Sequence, residues 1–327
     1  MLPPLSDLTA TARVISLPLT TRFRGITERE ALVFEGPEGW SEFSPFLEYD
    51  DDEASAWLAA AIDFAWRPTP ALVRDRVPVN ATMPAVDAAD VESVLARFGA
   101  VRTVKIKVAE PAQTLVDDTA RVARVRELLG PAGRIRVDAN GGWNVDEAEH
   151  AIHAFAPYDL EYIEQPCATV DELAEIRARV KYMGLPIAAD ESVRKAEDPL
   201  AVARAGAADI LVLKAQPLGG IDAALRIVRE AGLPAVVSSA LDTSIGISMG
   251  LHLAGALPEL DYDCGLGTAA LLAADIVDAP LIPVDGYLPV ARVTPSAELL
   301  VRHAASNERA EWWMSRLERT YALLTNR

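Results

Sequence analysis

Short apolar runs alternate with longer segments of helical period from Val77 to about residue 279. The runs are rich in β-branched residues, whereas the segments between them are rich in Ala, Leu and Arg. This alternation is typical of repeated strand–helix units, in which helices cover a parallel sheet. The pattern predicts eight strands, at Val77–Thr82, Thr103–Val108, Arg134–Asp138, Tyr162–Glu164, Pro186–Asp190, Ile210–Lys214, Ala235–Ser239 and Tyr262–Gly265. It predicts helices at Asp87–Phe98, Gln113–Leu129, Val145–Phe155, Val170–Met183, Pro199–Ala205, Gly220–Ala231 and Ser244–Ala256.

The two flanks of this repeat have a different pattern. Two strand-like stretches, Ala12–Leu17 and Glu30–Glu35, are joined by the polar turn Thr20–Thr27 and followed by a helix at Glu53–Trp66. After Ala279 the chain is rich in Pro and then predicts one helix from about Ser296 to Thr325. We therefore expect an α/β fold, a (β/α)-barrel with an α+β capping domain. The expected parts are the cap at 1–76, the barrel at 77–279 and a C-terminal segment at 280–327 that returns to the cap.

The composition narrows the classes of partner. The 327 residues include 31 Lys and Arg against 48 Asp and Glu, a formal charge of −17 that repels nucleic acid and anionic membranes. Cys167 and Cys264 are too few for a disulfide framework and too isolated for a zinc site. The first residues lack a basic segment followed by an apolar run. We expect a soluble, unprocessed, cytoplasmic protein that binds a small anion, and the sequence does not indicate its oligomeric state.

Five charged residues follow the apolar runs at regular steps. Lys107, Asp138, Glu164, Asp190 and Lys214 recur at intervals of 31, 26, 26 and 24 residues, about one strand and one helix each. Because the C-terminal ends of barrel strands converge on one mouth, three carboxylates and two amines should meet there. Hard oxygen ligands without a nearby His or Cys favour Mg²⁺, with Mn²⁺ as a substitute, over zinc.

Strand alternation predicts which side chains enter the barrel. In the second strand it places Lys105 and Lys107 inside, and in the third it places Arg136, Asp138 and Asn140 inside. Two buried ammonium groups are costly unless carboxylates or a ligand compensate them. This cost favours a binding or catalytic role for the lysines over a solvated edge.

An inward lysine on the sixth strand lies across the barrel from the second strand. Lys107 and Lys214 could therefore approach opposite faces of one bound molecule. Removal of a proton next to a carboxylate forms an enediolate, which a divalent cation stabilises while an amine acts as the base. A charge on the nearby Lys105, a cation and burial all favour the neutral amine that this base requires.

Other residues are candidates for substrate contacts. Ser238 and Ser239 end the seventh strand and could bind a carboxylate or cap a turn. Gly265 lies in a tight turn whose backbone N–H groups could meet an anion. Arg22 and Arg24 in the cap turn could form a lid that offers positive charge to the substrate. A solvated hairpin without ligand contacts is the alternative for that turn.

Taken together, these motifs resemble the enolase superfamily, and within it the muconate-lactonizing subgroup, over nearly the whole chain. The resemblance implies that Asp138, Glu164 and Asp190 hold Mg²⁺, with Glu191 as the alternative third ligand. It implies that Lys107 removes the α-proton and then helps hydroxide leave from the same face, while Lys214 stabilises the enediolate from the other face. Lys105 and Asn140 would contact the substrate. The motifs are Lys105-Ile-Lys107, Asp138-Ala-Asn140, Glu164-Gln-Pro166, Asp190-Glu-Ser192 and Lys214.

The activity within the subgroup is narrowed by the short length, the small cap and Cys264-Gly-Leu-Gly-Thr. These features resemble members that dehydrate a succinylated cyclohexadiene carboxylate in menaquinone biosynthesis, which implies a carbon–oxygen lyase. An N-succinylamino acid racemase or a dipeptide epimerase would use the same two lysines, so the catalytic residues do not separate these activities. A non-catalytic binding barrel would leave the charged cluster unexplained.

Overall fold

The computed structural model describes residues 2–194 and 199–326. An antiparallel sheet with strand order β1–β2–β3 opens the chain and packs against a long helix. That helix begins after Asp50, whose carboxylate accepts a hydrogen bond from the Glu53 N–H at 2.8 Å and caps the first turn. The elements of this cap are α1 (Leu5–Thr11), β1 (Arg13–Phe23), β2 (Ile26–Gly36), β3 (Gly39–Phe43) and α2 (Asp51–Trp66).

The cap differs from its prediction in two places. The predicted turn Thr20–Thr27 is too long, because β1 and β2 continue until only Arg24 (φ 47°) and Gly25 (φ 81°) remain between them. Left-handed residues in a two-residue turn match the twist of a hairpin. The strand β3 was not predicted, because its buried polar residues Ser41 and Glu42 hide the alternation of a half-buried strand.

The barrel sheet contains seven parallel strands among the described residues, and neighbours in the sheet are neighbours in the chain. The strands are β5 (Ala81–Met83), β6 (Thr103–Lys107), β7 (Arg134–Asp138), β8 (Leu160–Glu164), β9 (Ile187–Ala189), β10 (Ile210–Leu213) and β11 (Ala235–Val237), preceded by β4 (Arg76–Pro78) outside the sheet. The helices are α3 (Val91–Leu95), α4 (Leu115–Leu129), α5 (Val145–Phe155), α6 (Val170–Val180), α7 (Glu191–Arg194), α8 (Ala201–Arg204), α9 (Ile221–Ala231) and α10 (Ser244–Ala256). Short 3₁₀ turns lie at Ala88–Asp90, Ala96–Phe98, Ala156–Tyr158, Lys181–Met183 and Gly267–Leu271.

The predicted bounds of α5 and α10 are confirmed. Reciprocal capping boxes fix where α4, α5 and α6 begin, since Thr114, Asn144 and Thr169 each exchange hydrogen bonds with an acidic residue three positions later. The predicted starts of α5 and α6 are therefore correct, whereas α4 begins at Leu115 instead of the predicted Gln113 and α6 ends at Val180 instead of Met183.

The barrel closes where two predicted strands are shorter than expected. The first predicted strand, Val77–Thr82, is divided after Pro78: β4 pairs with β12, and β5 begins at Ala81 and pairs with β6. The predicted eighth strand, Tyr262–Gly265, is reduced to single parallel bridges from Cys264 to Val79 and from Gly265 to Ser238. These bridges still join the first and seventh barrel strands.

The C-terminal segment returns to the cap, although not as one helix. Residues 303–305 run beside β1, where the Ser16 N–H donates to His303 O at 2.9 Å and the Ala305 N–H donates to Val14 O at 3.0 Å. This pairing covers the edge of β1 and interrupts the helix predicted from Ser296 to Thr325. The elements are β12 (Tyr287–Pro289), which pairs with β4, then α11 (Ala297–Arg302) and α12 (Asn307–Thr325), which packs on α2.

The main apolar core lies between the barrel strands and their helices. A second, small cluster of Tyr162, Ala188, Ile210, Val212 and Val236 lies on the inward positions of the strands. This cluster gives the charged mouth of the barrel an apolar floor. In residues 2–194 and 199–326 we find no helix with the length and apolar character needed to cross a membrane.

Candidate active site at the mouth of the barrel

Strand register brings the predicted charged residues to one level. Lys107 pairs with Asp138 across β6 and β7, and Asp138 pairs with Glu164 across β7 and β8. Asp190 and Lys214 directly follow β9 and β10. All five side chains are at least largely buried, and ion pairs join Lys107 to Asp138 and Lys214 to Asp190.

The amines lie between the carboxylates. The Lys105 Nζ is 2.8 Å from Glu164 Oε1 and 3.1 Å from Asp138 Oδ2. The Lys107 ammonium donates to Asp138 Oδ2 and to Asn140 Oδ1, and the Lys214 ammonium donates to Asp190 Oδ2. As placed, no three His, Cys, Asp or Glu side chains of the described residues stand close enough together to share one metal ion.

The same residues nevertheless have the chemistry of a divalent-cation site. The Glu164 Oε2 is buried and has no hydrogen-bond partner among the described residues. Burial and repulsion from Asp138 raise the pKa of Glu164 to about 7, and Asp190 adds to that repulsion. A cation between these hard oxygen donors would relieve both the repulsion and the missing contact. The carboxylates Asp138, Glu164 and Asp190 therefore fit Mg²⁺ or Mn²⁺.

The pKa values of the two lysines of β6 shift in opposite directions. Burial alone would lower the pKa of Lys105, but Glu164 and Asp138 raise it well above its usual value. Burial also lowers the pKa of Lys107, and the attraction of Asp138 does not restore it because the charge of Lys105 lies close by. Lys105 is therefore suited to remain a cation, and Lys107 is the better proton acceptor.

Asp190 and Glu191 occupy different positions at the mouth. Asp190 accepts from Lys214, and the charges of Lys214 and Arg194 bring its pKa to about 2 although burial opposes this shift. Glu191 begins α7 and accepts from Asn140 Nδ2 at 3.2 Å, while its Oε2 is buried without a partner among the described residues. Both carboxylates line the cavity, so the choice of third ligand stays open.

The end of the seventh strand forms one wall of the cavity. Ser238 and Ser239 both line it, and the Ser239 hydroxyl donates to Gly265 O at 2.7 Å and lies 2.7 Å from the Thr268 hydroxyl. Gly265 does not line the cavity, and its N–H donates to Val237 O instead of facing an anion. A Cβ at position 265 would stand 2.6 Å from Ser238 Oγ, which explains why glycine is found there.

The cap forms the roof of this cavity. The Arg24 guanidinium lies 4.6 Å from the centre of the Phe46 ring, and its Nη1 is 3.5 Å from the Tyr49 hydroxyl. Its closest carboxylate is Glu48, at 3.9 Å, and Glu48 is mostly exposed. Arg24 therefore presents a weakly paired charge to the cavity and also borders a neighbouring groove, whereas Arg22 lines only that groove.

Two residues of this site were not predicted. Gln165 (φ 40°) is buried after β8, and its side-chain oxygen accepts from the N–H groups of Asp190 and Ser192. It thereby holds the loop that carries Asp190 against the neighbouring strand. Arg194 joins Asp190 and Glu191 to Tyr49 of the cap. The signal for Gln165 was its position directly after a predicted ligand. Arg194 lies five residues after the end of β9 and lacks such a signal.

Comparisons with known proteins agree with this fold. Residues 14–65 match the family described as "Enolase N-terminal domain-like", and residues 87–295 match "Enolase C-terminal domain-like". The chain is 56% identical to a Mycobacterium tuberculosis protein named o-succinylbenzoate synthase, over 99% of this chain and 98% of that protein. A protein of the same name from Mycobacterium leprae is 54% identical, over 99% of this chain and 95% of the relative.

Solved structures show the same fold at lower identity. The muconate lactonizing enzyme from Pseudomonas fluorescens, complexed with muconolactone, aligns with a TM-score of 0.77 and 22% identity, over 90% of this chain and 98% of that one. The L-Ala-D/L-Glu epimerase from Bacillus subtilis aligns with a TM-score of 0.73 and 24% identity, over 87% and 96% of the two chains.

Proposed function

Since the chain belongs to the enolase superfamily, we propose that it is an o-succinylbenzoate synthase, a lyase of menaquinone biosynthesis. The reaction removes water from 2-succinyl-6-hydroxy-2,4-cyclohexadiene-1-carboxylate and forms o-succinylbenzoate. The observation that carries this assignment is the 56% identity to a synthase over 99% of the chain. The paired lysines and carboxylates at the mouth of the barrel supply the chemistry that this reaction needs.

The ligands of Mg²⁺, or of Mn²⁺ as its substitute, would be Asp138, Glu164 and Asp190. Glu191 is the alternative to Asp190 as the third ligand. When bound, the cation would stabilise the negative charge that develops on the substrate carboxylate. Lys105 supports these ligands by donating to Glu164 and approaching Asp138. Its raised pKa keeps this support cationic at neutral pH.

Lys107 would carry both proton transfers. Its neutral amine removes the ring proton next to the carboxylate, and the resulting ammonium returns a proton to the departing hydroxide as water. The ring gains its third double bond and becomes aromatic. One residue can carry out both transfers because, in a syn elimination, the proton and the hydroxyl group leave from the same face of the ring. Asn140 accepts from Lys107 at 2.7 Å and so orients the amine before it reacts.

Lys214 would stabilise the enediolate from the other face. It follows β10, four strands from β6 around the barrel, and its ammonium borders the same cavity as Lys107. This placement on two sides also fits a 1,1-proton transfer. An N-succinylamino acid racemase or dipeptide epimerase activity is therefore the second candidate function.

The net charge and the cysteines bear on the partners and the cellular location of the protein. We propose a small carboxylate substrate, neither nucleic acid nor membrane as a partner, and a cytoplasmic location. The charge of −17 supports the exclusion of nucleic acid and membrane, and the buried, unpaired Cys167 and Cys264 support the cytoplasmic location. The domain limits at 1–76, 77–279 and 280–327 also remain proposals.

Purified protein with Mg²⁺ should convert the cyclohexadiene substrate to o-succinylbenzoate, and EDTA should abolish this turnover. Added Mg²⁺ or Mn²⁺ should restore it, because the carboxylates of the site repel one another without a cation. Formation of the aromatic product can be followed by ultraviolet absorbance. A parallel assay for racemisation of N-succinylamino acids separates the second candidate. Full dehydration in EDTA would contradict the metal assignment, and absence of dehydration with Mg²⁺ would contradict the synthase assignment.

We expect Arg24→Ala to raise KM about tenfold or more while changing kcat and the melting temperature little. The Arg24 side chain borders the cavity with only a 3.5 Å hydrogen bond to Tyr49 and a 3.9 Å ion pair, so its loss removes a contact to an anion more than a structural bond. Arg22→Ala is the matched control from the same turn, because Arg22 lines the neighbouring groove. Unchanged KM in the double variant Arg22→Ala plus Arg24→Ala would show that the turn is a surface hairpin without a ligand role.

A further inference from the structure

We propose that Arg194 is a positioning residue that fixes the Asp190 carboxylate and ties it to the seating of the cap through Tyr49. The inference rests on the proposed function only in that Asp190 is taken to face a divalent cation. The contacts that hold this carboxylate in place are separate from the proton transfers of the dehydration.

One guanidinium makes three directed contacts. The Arg194 Nε donates to Asp190 Oδ1 at 3.2 Å, its Nη2 to Glu191 Oε1 at 2.8 Å, and its Nη1 to the Tyr49 hydroxyl at 3.0 Å. The side chain is only 3% exposed. The first two acceptors belong to the barrel and the third belongs to the cap, so Arg194 bridges the two parts at the wall of the cavity.

These contacts determine how Asp190 can be oriented. Its Oδ2 accepts from Lys214 and its Oδ1 from Arg194, so both oxygens are fixed from opposite sides. Arg194 also compensates the adjacent charge of Glu191, which would otherwise repel Asp190. The planar guanidinium reaches both carboxylates and the phenol at once, and an ammonium group has no such fork.

Tyr49 is a firm anchor on the cap side. Its backbone oxygen accepts from Arg316 Nη2 at 2.6 Å, and its ring packs at 5.8 Å from Phe46 and 6.1 Å from Trp57, measured between ring centres. Its hydroxyl also lies 3.5 Å from Arg24 Nη1. A displacement of the cap would therefore move the acceptor that holds Arg194, and through Arg194 it would loosen Asp190.

The test is Mn²⁺ binding by the full chain without substrate, measured by the electron paramagnetic resonance signal of free Mn²⁺. Arg194→Lys keeps the charge and removes the fork, so we expect the Kd for Mn²⁺ to rise about tenfold, as for other partners of metal ligands. Tyr49→Phe removes only the hydroxyl and should raise Kd about threefold. Added to Arg194→Lys, Tyr49→Phe should cause no further rise, because the two residues act through one contact.

Arg316→Lys is the matched control. Arg316 is a buried arginine of α12 that supports the same loop through Phe46 O and Tyr49 O, and in the described part of the chain its hydrogen bonds stay within the cap. Lysine keeps a cationic donor for these carbonyl oxygens, and the rings of Phe46 and Trp57 still hold Tyr49. Arg316→Lys should therefore lower the melting temperature and leave the Mn²⁺ Kd within about twofold of the wild type. A purely structural role for Arg194 would give this same pattern in Arg194→Lys.

An Arg194→Lys variant with wild-type Mn²⁺ affinity would overturn the inference, as would additive effects of Tyr49→Phe and Arg194→Lys. A wild-type chain that does not bind Mn²⁺ would overturn it as well. Failure of the proposed function looks different: the wild type would bind Mn²⁺ with the expected changes in the variants, yet would not dehydrate the cyclohexadiene substrate.

Discussion

Lys107→Ala should lower kcat for dehydration by about 100-fold to 10,000-fold, because it removes the general base. The amine is buried at the mouth of the barrel and is oriented by Asn140 and Asp138. Its lowered pKa, caused by burial and the nearby Lys105 charge, increases the fraction of neutral amine at neutral pH. Steady-state kinetics with saturating Mg²⁺ measure the loss.

Lys107→Arg separates proton transfer from charge. A guanidinium keeps the positive charge but does not deprotonate, so activity should stay as low as in Lys107→Ala. Lys214→Ala is the complementary variant from the opposite wall, and loss of this charge should cost about 100-fold or more. Exchange of the α-proton of an N-succinylamino acid with solvent deuterium tests the two faces one at a time. Equal exchange by the wild type and Lys107→Ala would show that another group is the base.

The inward orientation of these side chains could be predicted, because it depends on strand alternation alone. Lys105, Lys107 and Asp138 each lie between two apolar residues that pack under the helices, and Glu164 follows the apolar Ile163, so parity places all four side chains inside the barrel. The capping boxes of α4 to α6 likewise made helix starts local properties of the sequence.

Other features depended on long-range pairing and could not be predicted. The break between α11 and α12 exists because residues 303–305 pair with β1, nearly 290 residues earlier in the chain. The helical period of that segment contains no trace of this pairing. Arg194 was missed for the same reason, since its importance comes from Tyr49, 145 residues away. Strand alternation predicts which side chains point into the barrel. It does not predict which lysine contacts which carboxylate, so these ion pairs could not be predicted either.

The contrast between Asp190 and Glu191 shows where a pattern of residues stops being informative. Parity favours Asp190 as the inward residue, and the structure places it against Lys214 and Arg194. Glu191 nevertheless reaches the same cavity, because it begins α7 immediately after Asp190. Two adjacent carboxylates at a strand end can thus both line a site, and only replacement of each in turn, by Asn and by Gln, will assign the ligand.

Glu164→Gln should abolish dehydration and should leave the cation-free protein at least as stable as the wild type. Glutamine preserves the size of the side chain and an acceptor for Lys105, but it removes the charge that a divalent cation needs. In the wild type, Glu164 is buried with one oxygen unpartnered among the described residues, and its pKa is raised from 4.5 to about 7. Its ionisation therefore opposes folding when no cation is bound.

The sign of this effect gives a pH test. A carboxyl group whose pKa is raised by folding contributes its stability below its unfolded pKa of 4.5 and loses it as the pH rises through about 7. In EDTA, we therefore expect the melting temperature of the wild type, relative to that of Glu164→Gln, to decrease as the pH rises from 4.5 to about 7. Above that pH the difference should stay constant. In excess Mg²⁺ the order should reverse, because only the wild type gains stability from the cation. Full activity of Glu164→Gln, or equal stabilisation of both proteins by Mg²⁺, would show that Glu164 is not a ligand.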